Sequence, residues 1–128
     1  MLWQFVSSRS DLALRASTTL LYTERPVTLL APEMELIAPG GSTAIEIDLL
    51  VLRGRQLWIG EAKAASTLGS ETAARTQLNK LRRAAQLVRA NGILLVSGTP
   101  QGFSAATCTL IRERLGDLDV TLRLEALS

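Results

Sequence analysis

The chain is organised around residues 44–63, AIEIDLLVLRGRQLWIGEAK. Two runs within it, 45–51 and 56–62, are rich in β-branched and apolar residues, which is typical of strands. Between them Gly54 opens a two-residue turn, and glycine in this position favours type II′ because it readily adopts a positive φ. The stretch therefore predicts a β-hairpin.

The hairpin would bring four charged side chains to one face. A two-residue turn pairs Asp48 with Glu61 and Glu46 with Lys63, and side chains alternate between the faces of a strand, so all four share a face. Strand spacing puts the Asp48 and Glu61 carboxylates about 5 Å apart, where their repulsion costs roughly 3 kcal/mol. A divalent cation would offset this repulsion, and carboxylate oxygens are ligands that Mg²⁺ and Mn²⁺ prefer. The pattern predicts a metal site; an ordinary cross-strand ion pair between Glu46 and Lys63 is the alternative.

An aspartate on one strand followed by Glu-x-Lys on the next is similar to the motif of the PD-(D/E)xK nuclease superfamily. The resemblance rests on residues 46–50, EIDLL, and residues 60–63, GEAK, with Ile47 where the family name has proline. It implies the restriction-endonuclease-like fold. In that α/β fold, a three-layer arrangement with a mixed central β-sheet flanked by helices, the core has the order αβββαβ.

The same resemblance implies roles for individual residues. Asp48 and Glu61 would bind Mg²⁺ or Mn²⁺ together with the backbone carbonyl of Ala62, with Glu46 as an additional ligand or a neighbour of the ligands. Asp48, Glu61 and Lys63 would be the catalytic residues. Lys63 would orient the attacking water or stabilise charge on the phosphate.

The rest of the chain predicts elements in a compatible order. Helical spacing, capping residues and short apolar runs indicate their positions. We expect a helix over residues 7–22, extended segments over 27–30 and 34–38 interrupted by Pro32, a long helix over 71–90 capped by Ser70, a buried strand over 92–96, a helix over 103–115 and a strand over 120–124.

Basic residues are concentrated on and before the long helix. Residues 53–89 hold eight basic and two acidic side chains, a local charge of +6, which suits a nucleic-acid partner. Arg75, Arg82 and Arg89 recur every seven residues beside the apolar stripe of the helix, and Gln77 lies on its other margin. We expect these four residues to contact nucleic acid. The alternative is that the arginines only extend from a packed face into water.

Composition excludes several classes of chemistry. The 128 residues suit one domain, and the aliphatic surplus would fit a homodimer or a nuclease-like domain taken from a larger protein. The sequence contains no histidine, which excludes histidine bases and ligands, and its single cysteine, Cys108, excludes an internal disulfide. No apolar run is long enough to span a membrane, and the first residues do not resemble a signal peptide, so a cytoplasmic location is expected.

Together these features predict a Mg²⁺-dependent phosphodiesterase, a nuclease whose substrate is nucleic acid, with DNA expected. The residues themselves do not separate DNA from RNA, nor do they define the shape of the substrate. Two alternatives remain: a nuclease-like module that binds nucleic acid without cleaving it, and an assembly module.

Overall fold

The computed structural model describes residues 4–7, 29–37 and 44–127 of the chain. These residues form six strands and two helices, in the order ββββαβαβ. The elements are β1 (Gln4–Ser7), β2 (Leu29–Ile37), β3 (Ala44–Arg53), β4 (Gln56–Lys63), α1 (Glu71–Val88), β5 (Gly92–Ser97), α2 (Ala105–Leu115) and β6 (Thr121–Ala126).

All six strands belong to one mixed sheet in which spatial order follows chain order. β1 to β4 pair antiparallel, whereas β4, β5 and β6 pair parallel. Both parallel connections step across the sheet in the same direction, and such crossovers are right-handed, so α1 and α2 cover the same face and contact each other. The predicted α/β class with a mixed sheet is confirmed. The helix predicted over residues 7–22 lies outside the described residues, except for Ser7, which ends β1.

The strands are apolar on both faces, as the hairpin sequence indicates. One face packs against the helices through Leu50, Ile59, Ile93 and Leu95 from the sheet and Leu78, Leu81, Ala85, Ile111 and Leu115 from α1 and α2. The opposite face is also buried, at Leu49, Val51, Ala62, Leu94, Val96 and Leu127. None of the helices in the described part of the chain is long and apolar enough to cross a membrane.

The hairpin register predicted from the turn is confirmed near the turn, but the predicted pairs Asp48 with Glu61 and Glu46 with Lys63 lie beyond the end of the ladder. Arg53 pairs with Gln56, and the pairing continues to Leu49 and Gly60. Gly54 has φ +59°, whereas Arg55 keeps a negative φ, as a type II′ turn requires. A local turn therefore fixes which residues face each other across two strands.

One prediction for the first half of the chain is wrong, and one strand was not predicted. β1 was not expected, and the extended segments around Pro32 form one continuous strand, β2, in which Pro32 pairs with Leu49 of β3. Within the described residues, β1 covers β2 only over Met34–Ile37. The edge of β2 is thus open at Pro32, where a strand tolerates a residue without an N–H.

The long helix begins where it was predicted and ends two residues early. The Ser70 side chain accepts a hydrogen bond from the N–H of Ala73, and the helix ends at Val88. Arg89 then takes a left-handed conformation, φ 54° and ψ 50°. The N–H of Ala90 donates to the carbonyl of Ala85, which closes the helix before the predicted Asn-Gly stop.

Candidate metal and nucleic-acid site

The candidate site lies where β3 and β4 separate. Their ladder ends at Leu49 and Gly60, while β4 continues alongside β5 as far as Lys63. Asp48 is the neighbour of Leu49 and lies just beyond the last pair of this ladder. Its Oδ2 accepts a hydrogen bond of 3.0 Å from the N–H of Ala62, so a side-chain carboxylate takes the place of a main-chain acceptor. Alternation puts Asp48 on the helix-covered face, close to the start of α1.

Glu61 is the one charged side chain that is buried in the described part of the chain. It is 4% exposed, and its carboxyl is hydrogen-bonded to that of Asp48. Burial, followed by the charge of Asp48, raises the pKa of Glu61 to about 8, and the hydrogen bond and the charge of Glu46 act in the same direction. Lys63 opposes the rise, with its Nζ 3.7 Å from Oε1 of Glu61. The metal-free site thus favours a protonated Glu61 at neutral pH.

The carbonyl of Ala62 is directed towards the same gap. The carbonyl of Lys63 accepts a 2.6 Å hydrogen bond from the N–H of Gly98, on the β5 side. Neighbouring residues of a strand direct their peptide groups to opposite sides, while the N–H and C=O of one residue share a side. Since the N–H of Ala62 reaches Asp48, its carbonyl faces β3 as well. The carbonyl of Ala62 therefore faces the same side of β4 as the Asp48 carboxylate.

The donor set of Asp48, Glu61 and the Ala62 carbonyl fits a hard divalent cation. All three groups supply oxygen, and Mg²⁺ is commonly held by one or two carboxylates while keeping several of its waters. No group of three or more acidic or thiol side chains that could hold a metal occurs among the described residues, so Glu46 does not complete a third carboxylate ligand here. Positive charge would also relieve the repulsion that raises the pKa of Glu61.

Further acidic residues on β2 were not recognised from the sequence. Glu46 is exposed and pairs with Glu35 across the ladder. Glu33 lies between Pro32 and Met34, which pair with Leu49 and Ile47 of β3. Glu33 and Glu35 are two residues apart, a spacing typical of one face of a strand, and this was the signal in the sequence. The expected break at Pro32 concealed it, because a broken strand has no defined face.

The end of β5 holds the chain that follows Lys63. Ser97 is fully buried, and its hydroxyl donates to the carbonyl of Ala65 at 2.9 Å. Gly98 approaches so closely that a Cβ there would lie 3.0 Å from the Cα of Ala64. The N–H of Gly102 donates to the carbonyl of Thr99 at 3.0 Å, so the chain makes a turn directly after β5. The contacts show that this turn also fixes the position of the lysine-bearing strand.

The predicted arginines are spread along α1. This helix begins at the end of the strands where the site lies and finishes at their opposite end. The helix has 18 residues and is about 27 Å long. Arg75, in the first turns, forms an ion pair of 2.9 Å with Glu71. Arg82 binds Asp117 with both of its terminal nitrogens. Arg89 is exposed beyond the far end of the helix. Arg75 thus pairs with Glu71 and lines a cavity that α1 shares with α2, while Arg89 lies beyond the far end of the helix.

Gln77 lies two turns into α1 and is half-buried. It stands beside the buried stripe formed by Ala74, Leu78 and Leu81. This is the margin position that the spacing predicted. It lies at the same end of the helix as the carboxylates.

Arg82 forms an ion pair with Asp117, so a role in stability can be tested separately from a role in nucleic-acid binding. Besides Asp117, its guanidinium donates to the carbonyl of Arg114 at 2.8 Å, so it connects α1 to the end of α2. We expect Arg82→Ala to lower the melting temperature, and Asp117→Asn to do the same to a smaller extent because the carbonyl contact remains. The double variant should be no less stable than Arg82→Ala, since both changes remove the same ion pair.

Filter-binding titrations of the same variants complete this comparison. If Arg82 acts only between the helices, Arg82→Ala and Asp117→Asn will leave nucleic-acid affinity unchanged. A loss of affinity and of salt dependence in Arg82→Ala alone would instead identify a phosphate contact.

The geometry supports a defined kind of chemistry. A buried and a partly buried carboxyl, a carbonyl and a half-exposed lysine can hold a small cation and stabilise an anionic substrate at its side. No protein-family model matches the chain, and no curated protein shows a significant match to it.

Proposed function

We propose that this protein is a metal-dependent nuclease that hydrolyses phosphodiester bonds in nucleic acid, with DNA as its substrate. The observation that carries the proposal is the buried carboxyl of Glu61, hydrogen-bonded to Asp48 with Lys63 beside it. A carboxyl that is buried against another carboxyl destabilises the metal-free fold. An apolar side chain would fill the same space without that penalty, so the pair supports a role in binding a cation.

Asp48, Glu61 and the carbonyl of Ala62 would hold Mg²⁺ or Mn²⁺. When bound, such an ion lowers the pKa of a coordinated water and offsets negative charge on a phosphate. The N–H of Ala62 holds the Asp48 carboxylate in a fixed orientation through Oδ2. The ligands are therefore oriented by the backbone of β4 before an ion arrives.

Lys63 would act on the substrate. Its side chain is 38% exposed, whereas that of Glu61 is 5% exposed, so the ammonium group extends from the buried Glu61 towards solvent. There it would orient the attacking water or stabilise the charge that develops on the phosphate oxygens. Its main-chain contact with Gly98 limits the movement of the strand that carries it.

The topology supports the restriction-endonuclease-like fold as part of the same proposal. The hairpin β3–β4, helix α1 and the parallel strand β5 follow one another in the order that the resemblance implies. The acidic residues lie at the end of β4 from which the chain leaves towards α1. α2 and β6 extend this core by one further parallel unit.

The direct test is a cleavage assay with the purified chain. Linear, branched and single-stranded DNA, and RNA, are incubated with Mg²⁺, with Mn²⁺ or with EDTA. We expect cleavage of DNA with either metal ion and none with EDTA. Binding that weakens with salt but leads to no cleavage would instead identify a nuclease-like binding module, and the absence of both would contradict the proposal in favour of an assembly module.

A further inference from the structure

β6 is an edge strand with a regular pattern of outward-facing peptide groups. It pairs with β5 on one side, and no described strand pairs with its other side. The N–H of Thr121 donates to Asn91 and that of Leu127 to Ser97, both towards β5. Peptide groups alternate in direction along a strand. The groups of the intervening residues Leu122, Leu124 and Ala126 therefore face outward.

We propose that β6 pairs with β6 of a second copy of this chain, antiparallel and centred on Leu124. In this arrangement Leu124 exchanges hydrogen bonds with itself across a two-fold axis, and Leu122 exchanges them with Ala126 of the second copy. These are the three residues whose peptide groups face outward, so the hydrogen-bonding pattern is satisfied without any change of the strand. The contact is self-complementary, as a two-fold interface requires.

Charge selects this register. Arg123 and Glu125 lie on the same face of β6, each with 33% of its side chain exposed, and form an ion pair within the strand. Pairing centred on Leu124 puts Arg123 opposite Glu125 of the second copy, twice by symmetry. These are the non-hydrogen-bonded positions, where opposing side chains come closest. A register centred on Arg123 or on Glu125 would oppose like charges instead.

The apolar side chains of β6 are compatible with the same contact. Leu122 and Leu124 are only partly buried against the helix-covered core. A second sheet added at this edge would cover part of what remains exposed. An open strand edge presents N–H and C=O groups that can pair with another chain.

The test is sedimentation velocity of the full chain over a range of concentrations. Wild type is expected to dimerise. Arg123→Glu and Glu125→Arg each oppose like charges twice across the axis, and each should weaken dimerisation by at least about tenfold. The double variant Arg123→Glu/Glu125→Arg restores opposite charges and should dimerise like wild type.

A mixture of the two single variants provides the matched control. Each variant also loses its ion pair within β6, so weaker dimerisation alone would not separate the two effects. In the mixture, however, one chain has two acidic residues and the other two basic residues, and a heterodimer should form at concentrations where each variant alone is monomeric. Circular dichroism establishes that both variants are folded. A monomeric wild type at all concentrations, single variants that dimerise like wild type, or a mixture that remains monomeric would overturn the proposal.

Discussion

Asp48→Asn is expected to lower Mg²⁺-dependent cleavage by about 10³-fold or more while leaving nucleic-acid affinity intact or raised. Asparagine retains an oxygen that can accept the N–H of Ala62, the contact that Asp48 makes at 3.0 Å. It removes the charge that a metal ligand needs, and with it a negative charge near the phosphates. The measurement is a single-turnover cleavage rate beside a binding titration in Ca²⁺.

Glu46→Gln is the matched control for this variant. It removes one carboxylate charge from the same strand, on the same face and two residues away, but from an exposed side chain. Its cleavage rate should remain close to that of wild type. Equal rates for Asp48→Asn and wild type would exclude Asp48 as a ligand, and equal losses in both variants would indicate a general effect of charge.

The second large effect concerns the pH dependence of stability in the metal-free protein. Glu61 has a pKa of about 8 in the folded chain against 4.5 as its ordinary value, so the fold favours the protonated carboxyl. This contribution to stability is complete below about pH 4.5, declines as the pH rises and is lost above about pH 8. At 1.36 kcal/mol per pH unit, the difference corresponds to about 5 kcal/mol.

Urea unfolding in EDTA at several values between pH 5 and pH 9 measures this dependence. Glu61→Gln cannot ionise at this position, so the difference in unfolding free energy between it and wild type isolates the effect of Glu61. We expect the variant to become the more stable of the two as the pH rises. Mg²⁺ should stabilise wild type at pH 8 and not the variant, because it binds the ionised carboxylate. Parallel pH profiles in EDTA would mean that the carboxyl titrates normally.

The sequence predicts those parts of the fold that short-range chemistry determines. Gly54 sets the turn, the turn sets the register, and the register brings Asp48 next to Glu61. Ser70 similarly defines the start of α1 through a hydrogen bond three residues along the chain. In each case the determining residues are close together in sequence, and few alternative geometries compete.

Other parts depend on contacts that no local pattern contains. Asp117 lies 35 residues beyond Arg82, so the partner of that arginine is known only when the two helices are packed. Pro32 was expected to interrupt a strand, and whether it does depends on where β1 ends. The acidic position on β2 was missed for the same reason, since only pairing with β3 puts Glu35 opposite Glu46.

The end of the ladder at Leu49 and Gly60 makes the candidate site a seam between two halves of the sheet. On one side of it Asp48 is carried by antiparallel strands; on the other Glu61 belongs to the parallel strands. At this level the hydrogen bond from the N–H of Ala62 and the one between the carboxyls of Asp48 and Glu61 cross the seam. A small change of twist between the halves would therefore alter the separation of the carboxylates while each half kept its own pairing. In the proposed metal site, such a change would fit the separation of the carboxylates to ions of different radius.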